Sequence, residues 1–390
     1  MTRLISLLSA SLFAVAAFAQ QPFNVSVSVK GVDCDHAYIT VFGDKESIQI
    51  DSLDPKMSVI PFTNGEMTLK GTASAQSVLR ISFSGDDRLL KMVGNGYIPV
   101  KSASLWVVVG PGTNLKVEGD LTGKDYVDIY PNGDSENRFL AVLNSGMMPI
   151  TNDEGNLEVK EYTDSTLTAD DKKAIEARIA DFDQNAQKVR ENFIHSYPSC
   201  IASLWIMEDM LIRSQIEPAA LETPMAAVES KYHDNYFYKA VSDRLAGAKS
   251  AAVGAKCPNI SGTDKDGNEV SIADFRGKFL IVDFWGTWCG ACLAGMPEMR
   301  AFRDAHKDKV QILGVANDKD AEKWKDCMVR NKMDWPDIME GTGDRDYVAR
   351  FNVQGFPTKI LVDPQGTIVY RFTGEDREFY ENVEKMINSK

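Results

Sequence analysis

The chain has 390 residues, of which 44% are hydrophobic and 25% charged, enough for more than one ordinary core. Its net charge of −13 argues against nucleic acid and anionic lipid headgroups as partners and otherwise serves solubility. Six cysteines in so long a chain are too sparse for a disulfide-scaffolded domain.

At the N-terminus, Arg3 precedes an apolar run over 4–18 that is too short to span a bilayer comfortably. Ala17-Phe18-Ala19 supplies a small-x-small cleavage site. Residues 1–19 therefore read as a signal peptide cleaved after Ala19, which predicts an exported, soluble, periplasmic protein. No cysteine follows the apolar run closely, so lipoprotein processing is not indicated. No later stretch approaches about 18 uninterrupted apolar residues.

Residues 20–130 read as a β-rich domain. Phe23 to Val29 alternates apolar and polar with period two, and further strand-like runs cover 37–42, 67–71, 78–83 and 105–109. Asn64-Gly65 and Gly110-Pro111-Gly112 are turn signals between them. A small antiparallel sandwich or barrel-like sheet is expected. Residues 131–250 read as a helical region. Ile175, Ile179, Phe182, Ala186, Val189 and Phe193 fall on one helical stripe, with N-cap candidates at 168–171. A second helix is expected over 200–212 and a third over roughly 222–245. Tyr232, Tyr236, Phe237 and Tyr238 read as packing residues, and the small residues of 247–252 as a linker.

Residues 251–390 alternate strands and helices. A hairpin around 264–267 precedes strand 279–284, helix 291–305, strand 310–315 and helix 321–331. Strands 359–362 and 368–372 and a helix over 378–387 follow, which implies a mixed α/β sheet. Cys289 and Cys292 stand where the first central strand gives way to a helix. Free N–H groups and the helix dipole there stabilise a thiolate, the species that attacks a disulfide. The Cys-x-x-Cys spacing lets the second sulfur close a small ring with the first.

These residues strongly resemble the thioredoxin superfamily, in particular its exported TlpA/ResA-type thiol–disulfide oxidoreductases. Asp283 lies six residues before Cys289, Trp288 directly precedes it, and Pro297 lies five residues after Cys292. Gly355-Phe356-Pro357-Thr358 matches the cis-proline loop and opens the run Ile360-Leu361-Val362. Gly277-Lys278 and Asp363-Pro364-Gln365-Gly366 also fit, and 317–350 holds an insertion typical of that branch. The fold class is therefore multidomain: an N-terminal all-β module, a central helical region and a C-terminal α/β thioredoxin-like fold. The β module is similar to N-terminal modules of unknown function that precede such domains in exported Bacteroidetes proteins.

The resemblance implies a protein-disulfide reductase with Cys289 as nucleophile and Cys292 as resolving thiol. It implies that Asp283 lies buried behind the pair and takes the proton of Cys292, against a plainer reading as a surface acid. It implies a cis bond before Pro357, with neighbouring backbone pairing with the substrate. Trp285, Trp288, Phe356 and Thr358 are the expected substrate-contacting residues, although packing serves equally well for the tryptophans. Disulfide-containing exported proteins and a membrane dithiol electron donor are the implied partners. No cofactor is expected beyond the redox-active Cys289–Cys292 disulfide.

Gly290-Ala291 departs from the common pattern, which has proline at the second place between the cysteines. With no histidine there to stabilise the thiolate further, a reductant is favoured over a strong oxidant. The alternatives are an isomerase or oxidase, a thiol peroxidase and a non-catalytic binding protein. A peroxidase would need Pro-x-x-x-Thr-x-x-Cys, whereas Gly286 stands where the threonine would be. A zinc site would need a second Cys/His pair, and His36, His195, His233 and His306 are isolated, so no metal is expected. Cys34, Cys200, Cys257 and Cys327 read as inert thiols, with a Cys34–Cys200 bridge open but unsupported.

Overall fold

A computed structural model describes residues 20–51, 53–341 and 343–389. The expected signal peptide, 1–19, lies outside the described residues. The described residues form two compact units, divided between Arg190 and Glu191.

In the first unit, β1 (Gln21–Lys30), β3 (Ile48–Ile50), β5 (Glu66–Ala73) and β10 (Asn114–Asp120) form one sheet, ordered β10-β1-β5-β3. A second sheet, ordered β4-β2-β6-β9, contains β2 (His36–Phe42), β4 (Val59–Pro61), β6 (Ser77–Phe83) and β9 (Ser104–Val109). The two share one apolar core, to which Val25, Val27 and Leu69 contribute from the first sheet and Ile39, Leu79 and Val107 from the second. Alternation of apolar and polar residues is what gives each sheet one buried face. Asn64 and Gly65 both adopt left-handed backbone, φ 54° and 80°, as a tight I′ hairpin turn requires. A short helix α1 (Asp87–Leu90) and the ribbon β7 (Met92–Val93) and β8 (Gly96–Tyr97) lie between β6 and β9.

The sandwich departs from the expected antiparallel pattern in one pair. β10 lies parallel to β1, with Val25 opposite Leu115 and Val27 opposite Val117. The chain enters β10 from β9, which belongs to the other sheet, so no hairpin constrains its direction.

Helix α2 (Ser135–Thr163) begins on an Asp134 N-cap. Its Asn137 side chain accepts from Val108 N–H and donates to Val108 C=O, both at 2.9 Å, which satisfies that residue on the free edge of β9. Helix α3 (Ala169–Ser196) contains the whole predicted stripe, and each of its six residues is buried or half-buried.

The second unit opens with the end of α3, followed by α4 (Ile201–Ile212), α5 (Glu222–Ala226) and α6 (Tyr236–Ser250). The single helix expected over 222–245 is therefore two. Asn235 accepts from Phe237 N–H at 2.9 Å and starts α6 afresh, a cap that competes with a continuous helix. The expected linker over 247–252 is instead largely the last turn of α6. Gly247 lies so close to the next segment that an added methyl carbon would stand 2.4 Å from Ala349 O. Arg244 Nη1 donates to Val353 O at 3.2 Å, and Gln354 Nε2 to Leu211 O at 3.0 Å.

A hairpin, β11 (Ser261–Thr263) and β12 (Glu269–Ser271), leads to a five-stranded sheet ordered β15-β14-β13-β16-β17. Here β13 (Phe279–Trp285), β14 (Val310–Ala316) and β15 (Asp337–Met339) run parallel. β16 (Thr358–Val362) and β17 (Ile368–Thr373) complete the sheet by antiparallel pairing. One face packs on α7 (Gly290–Ala305), α8 (Ala321–Arg330) and α10 (Arg377–Asn388) through Met296, Met328 and Val383. The other packs on α9 (Tyr347–Arg350), on Val270 of the hairpin and on Ala251 after α6. Fully burying each such apolar side chain stabilises the unit by about 1.5–3 kcal/mol before chain entropy is charged.

Candidate active site

Strand β13 is buried along its whole length and occupies the middle of the sheet. Its alternation sends Leu280, Val282 and Phe284 to one face and Phe279, Ile281 and Trp285 to the other. The second set shares its core with Cys289 and Cys292. By the same alternation Asp283 belongs to the cysteine face.

After Trp285 the chain turns sharply into α7. Cys289 is the N-cap of that helix, and its Sγ lies 3.2 Å from the Cys292 N–H. A sulfur at this place receives an otherwise unpaired helix N–H and the positive end of the dipole, the setting that favours a thiolate in the reduced protein. The two sulfurs are joined as a disulfide with Cα atoms 5.3 Å apart. Cys289 is 7% exposed and Cys292 1%, so the first cysteine lies nearer the surface than the second.

The loop before Cys289 is held from several sides. Thr287 donates its N–H (2.8 Å) and hydroxyl (2.6 Å) to Asp318. Trp288 Nε1 donates to Asn317 O at 2.9 Å, and the Asn317 side chain donates to Glu340. Gly286 leaves room for the returning indole, since an added methyl carbon would stand 2.6 Å from Trp288 Nε1. Trp288 is 56% exposed and meets Phe356 edge-on at 5.2 Å, making an apolar lip. The Phe356–Pro357 bond is cis.

Two expected substrate contacts lie elsewhere. Trp285 has no exposed surface, and its Nε1 donates to the buried Asp337 at 2.8 Å, so it is a core residue and cannot form a rim. The Thr358 side chain is also fully buried, donating to Gly355 O at 2.7 Å and lying 3.2 Å from the Thr373 hydroxyl. Trp288 and Phe356 keep the accessible positions.

Asp283 is buried, and burial pushes its carboxyl up to about 6; Lys359 opposes that shift and Glu375 adds to it. Lys359 is its neighbour across the antiparallel pair, with Nζ 3.9 Å from Asp283 Oδ1. The same ammonium lies 2.5 Å from Glu375 Oε2. Asp283 Oδ1 has no hydrogen-bond partner. A carboxyl of this kind can hold a proton near neutral pH and give it up again. A second buried acid, Asp337, is held between the indole N–H groups of Trp285 and Trp324, both at 2.8 Å. Burial raises it well above the usual carboxylate range.

Lys359, Glu375 and Asp337 are absent from the sequence reading. Lys359 carried a signal, a charge inside an apolar strand, where an unpaired charge is costly. Glu375 sits in a polar loop before α10 and carried none. The other cysteines form no disulfide. Burial pushes the Cys257 thiol up to about 12 and Cys34 to about 11, and raises Cys327, so these thiols stay protonated and unreactive. Among the described residues no group of three or more histidine, cysteine or acidic side chains is placed to hold a metal ion.

A strand–turn–helix carrying a cap disulfide, a buried acid beneath it and a cis-proline loop beside it define a thioredoxin-like dithiol site. Residues 252–387 match the Redoxin family. A thiol–disulfide oxidoreductase ResA of Bacillus cereus is 30% identical over 125 residues, spanning 32% of this chain and 70% of that protein. ResA of Geobacillus kaustophilus is 28% identical over 179 residues, spanning 45% of this chain and 95% of that protein. The crystal structure of the thioredoxin domain of a Bacteroides vulgatus thiol–disulfide oxidoreductase shares 36% identity. It covers 35% of this chain and 98% of that one, at a TM-score of 0.33. The chain belongs, through its C-terminal part, to the thioredoxin-like thiol–disulfide oxidoreductases.

Proposed function

We propose that the protein is an exported reductase of protein disulfides. The observation that carries this reading is the asymmetry of the pair: a Cys289 that caps a helix and keeps a little exposed surface, and a Cys292 that keeps almost none, on the side of a buried acid. Cys289 thiolate attacks a substrate sulfur, and the other substrate sulfur leaves as a thiolate. Cys292 then loses its proton to Asp283 and attacks Cys289, which frees the reduced substrate and leaves the internal disulfide. The Trp288–Phe356 lip and the backbone before Pro357 receive the substrate strand.

What lies between the cysteines supports the reductive direction. Gly290-Ala291 places no cation beside Cys289 to stabilise its thiolate as a strong oxidant requires. In this reading residues 1–19 direct the chain to the periplasm and are removed after Ala19. A membrane dithiol donor restores the reduced pair, and disulfide-containing exported proteins are the substrates. No helix among the described residues is long and apolar enough to cross a membrane.

Trapping tests the reading. Cys292→Ser will accumulate mixed disulfides through Cys289, and mass spectrometry of the adducts identifies the substrates. Equal trapping by Cys289→Ser would overturn the order of the two sulfurs. A reduction potential near those of the strong oxidants would reverse the direction.

A further inference from the structure

The cluster behind the disulfide holds more ionisable groups than this reaction uses. The Lys359 ammonium stands between two carboxylates, 3.9 Å from Asp283 Oδ1 and 2.5 Å from Glu375 Oε2. Asp283 and Lys359 side chains are 1% and 2% exposed, whereas that of Glu375 is 17% exposed. Of the three, Glu375 is the one that reaches water. Its other oxygen accepts from the Tyr380 hydroxyl at 3.3 Å.

Glu375 also touches the active-site helix. Its carboxyl group rests against Gly295, where an added methyl carbon would stand 2.1 Å from the carboxyl carbon. Gly295 follows Cys292 by three residues, one turn along the same face of α7. Glycine at that place is what lets a carboxylate from the loop before α10 reach in behind the disulfide.

We propose that Glu375, acting through Lys359, is the outlet by which the proton of Cys292 reaches water during the resolving step. The inference rests on the reading of Cys292 as resolver and Asp283 as its proton acceptor. When Cys292 Sγ bonds to Cys289 Sγ, the bond to the substrate sulfur breaks and that sulfur leaves as a thiolate with its electron pair. The Cys292 proton passes to Asp283. The Lys359 ammonium gives a proton to Glu375 and, as its Nζ closes the 3.9 Å gap to Asp283 Oδ1, takes the one held there, and Glu375 releases its own to water. Lys359 ends as it began, charged, and Asp283 is ionised for the next cycle. Charge balance favours this course, because one ammonium offsets only one of the two carboxylates, so the cluster is neutral when either acid holds a proton. Asp337 and Glu298 are the further acids whose charge is felt here, the first with Asp283 and the second with Tyr380.

The two steps separate in a stopped-flow reaction of the reduced protein with dithiobis(nitrobenzoate). Attack by Cys289 releases one coloured thiolate, and resolution by Cys292 releases the second. Glu375→Gln will leave the first phase at the wild-type rate and slow the second by about tenfold below neutral pH, where Asp283 starts protonated and must shed that proton before it can take the one from Cys292, with recovery at alkaline pH as hydroxide takes the proton. Gly295→Ala, which displaces the carboxylate without altering a titratable group, will have the same selective effect and serves if the glutamine variant misfolds. A second phase with wild-type rate and pH profile in the variants overturns the proposal, as does equal slowing of both phases. A wild-type protein that releases no first equivalent would overturn the dithiol reading itself, a failure distinct from either.

Discussion

Replacing Asp283 with asparagine gives a sharp test of how the site is built. The carboxyl moves from 3.8 to about 6 on folding because burial penalises its charge more than Lys359 favours it. The sign follows: a raised acid binds its proton more tightly in the folded state, so stability is fully present below about pH 4 and lost as pH rises through about 6. At about 1.36 kcal/mol for each factor of ten, the total is about 3 kcal/mol, of which about 2 kcal/mol falls between about pH 4 and pH 7. Asparagine does not titrate. Stability of Asp283→Asn relative to wild type will therefore rise by about 2 kcal/mol over that interval, whatever the constant cost of the new amide. Urea unfolding of the oxidised proteins, followed by tryptophan fluorescence, reads this directly, since Trp205, Trp285, Trp288, Trp324 and Trp335 all lie in the second unit. A difference that stays flat with pH would refute the assignment of Asp283 as a desolvated acid.

Three further outcomes separate the residues of the site from those that support it. Trp288→Ala, at an exposed lip, will raise KM for a peptide disulfide several-fold while the melting temperature stays within a degree or so, about the effect of losing one aromatic contact. Trp285→Phe will do the reverse, leaving Asp337 short of a buried donor and costing about 1–3 kcal/mol of stability in denaturant titrations. Gly247→Ala will cost about 1–3 kcal/mol in the same titration, because the methyl group must displace the backbone at Ala349.

The redox site was largely legible in the sequence because its parts are local. An apolar strand, a Cys-x-x-Cys step and a helix with proline leave little choice about where Cys289 sits, and the resemblance picks out Asp283 by its place six residues before Cys289. Of the two readings open for each tryptophan, packing holds for Trp285 and an exposed lip for Trp288; three residues along a turning chain separate core from solvent. Glu375 could not be read, since only the folded chain brings a loop carboxylate against Gly295. The same holds for the pairing of β10 with β1, which joins segments far apart in sequence. Helix α2 was not read as a separate element because Asn144, Pro149, Asn152 and Gly155 interrupt its apolar stripe. Asn137 and Asn152 are nonetheless buried there, with Asn137 bonded to β9 and Asn152 to Asp125.

The claim on which the rest depends is that residues 289 and 292 form a single two-electron couple that exchanges with other disulfides. Equilibrating the protein in graded dithiothreitol buffers, with alkylation and mass mapping of the thiols, measures that couple directly. The account predicts one transition in which both thiols appear together while Cys34, Cys200, Cys257 and Cys327 stay reduced throughout. Independent titration of the two, or a transition that survives in Cys289→Ser, would contradict it.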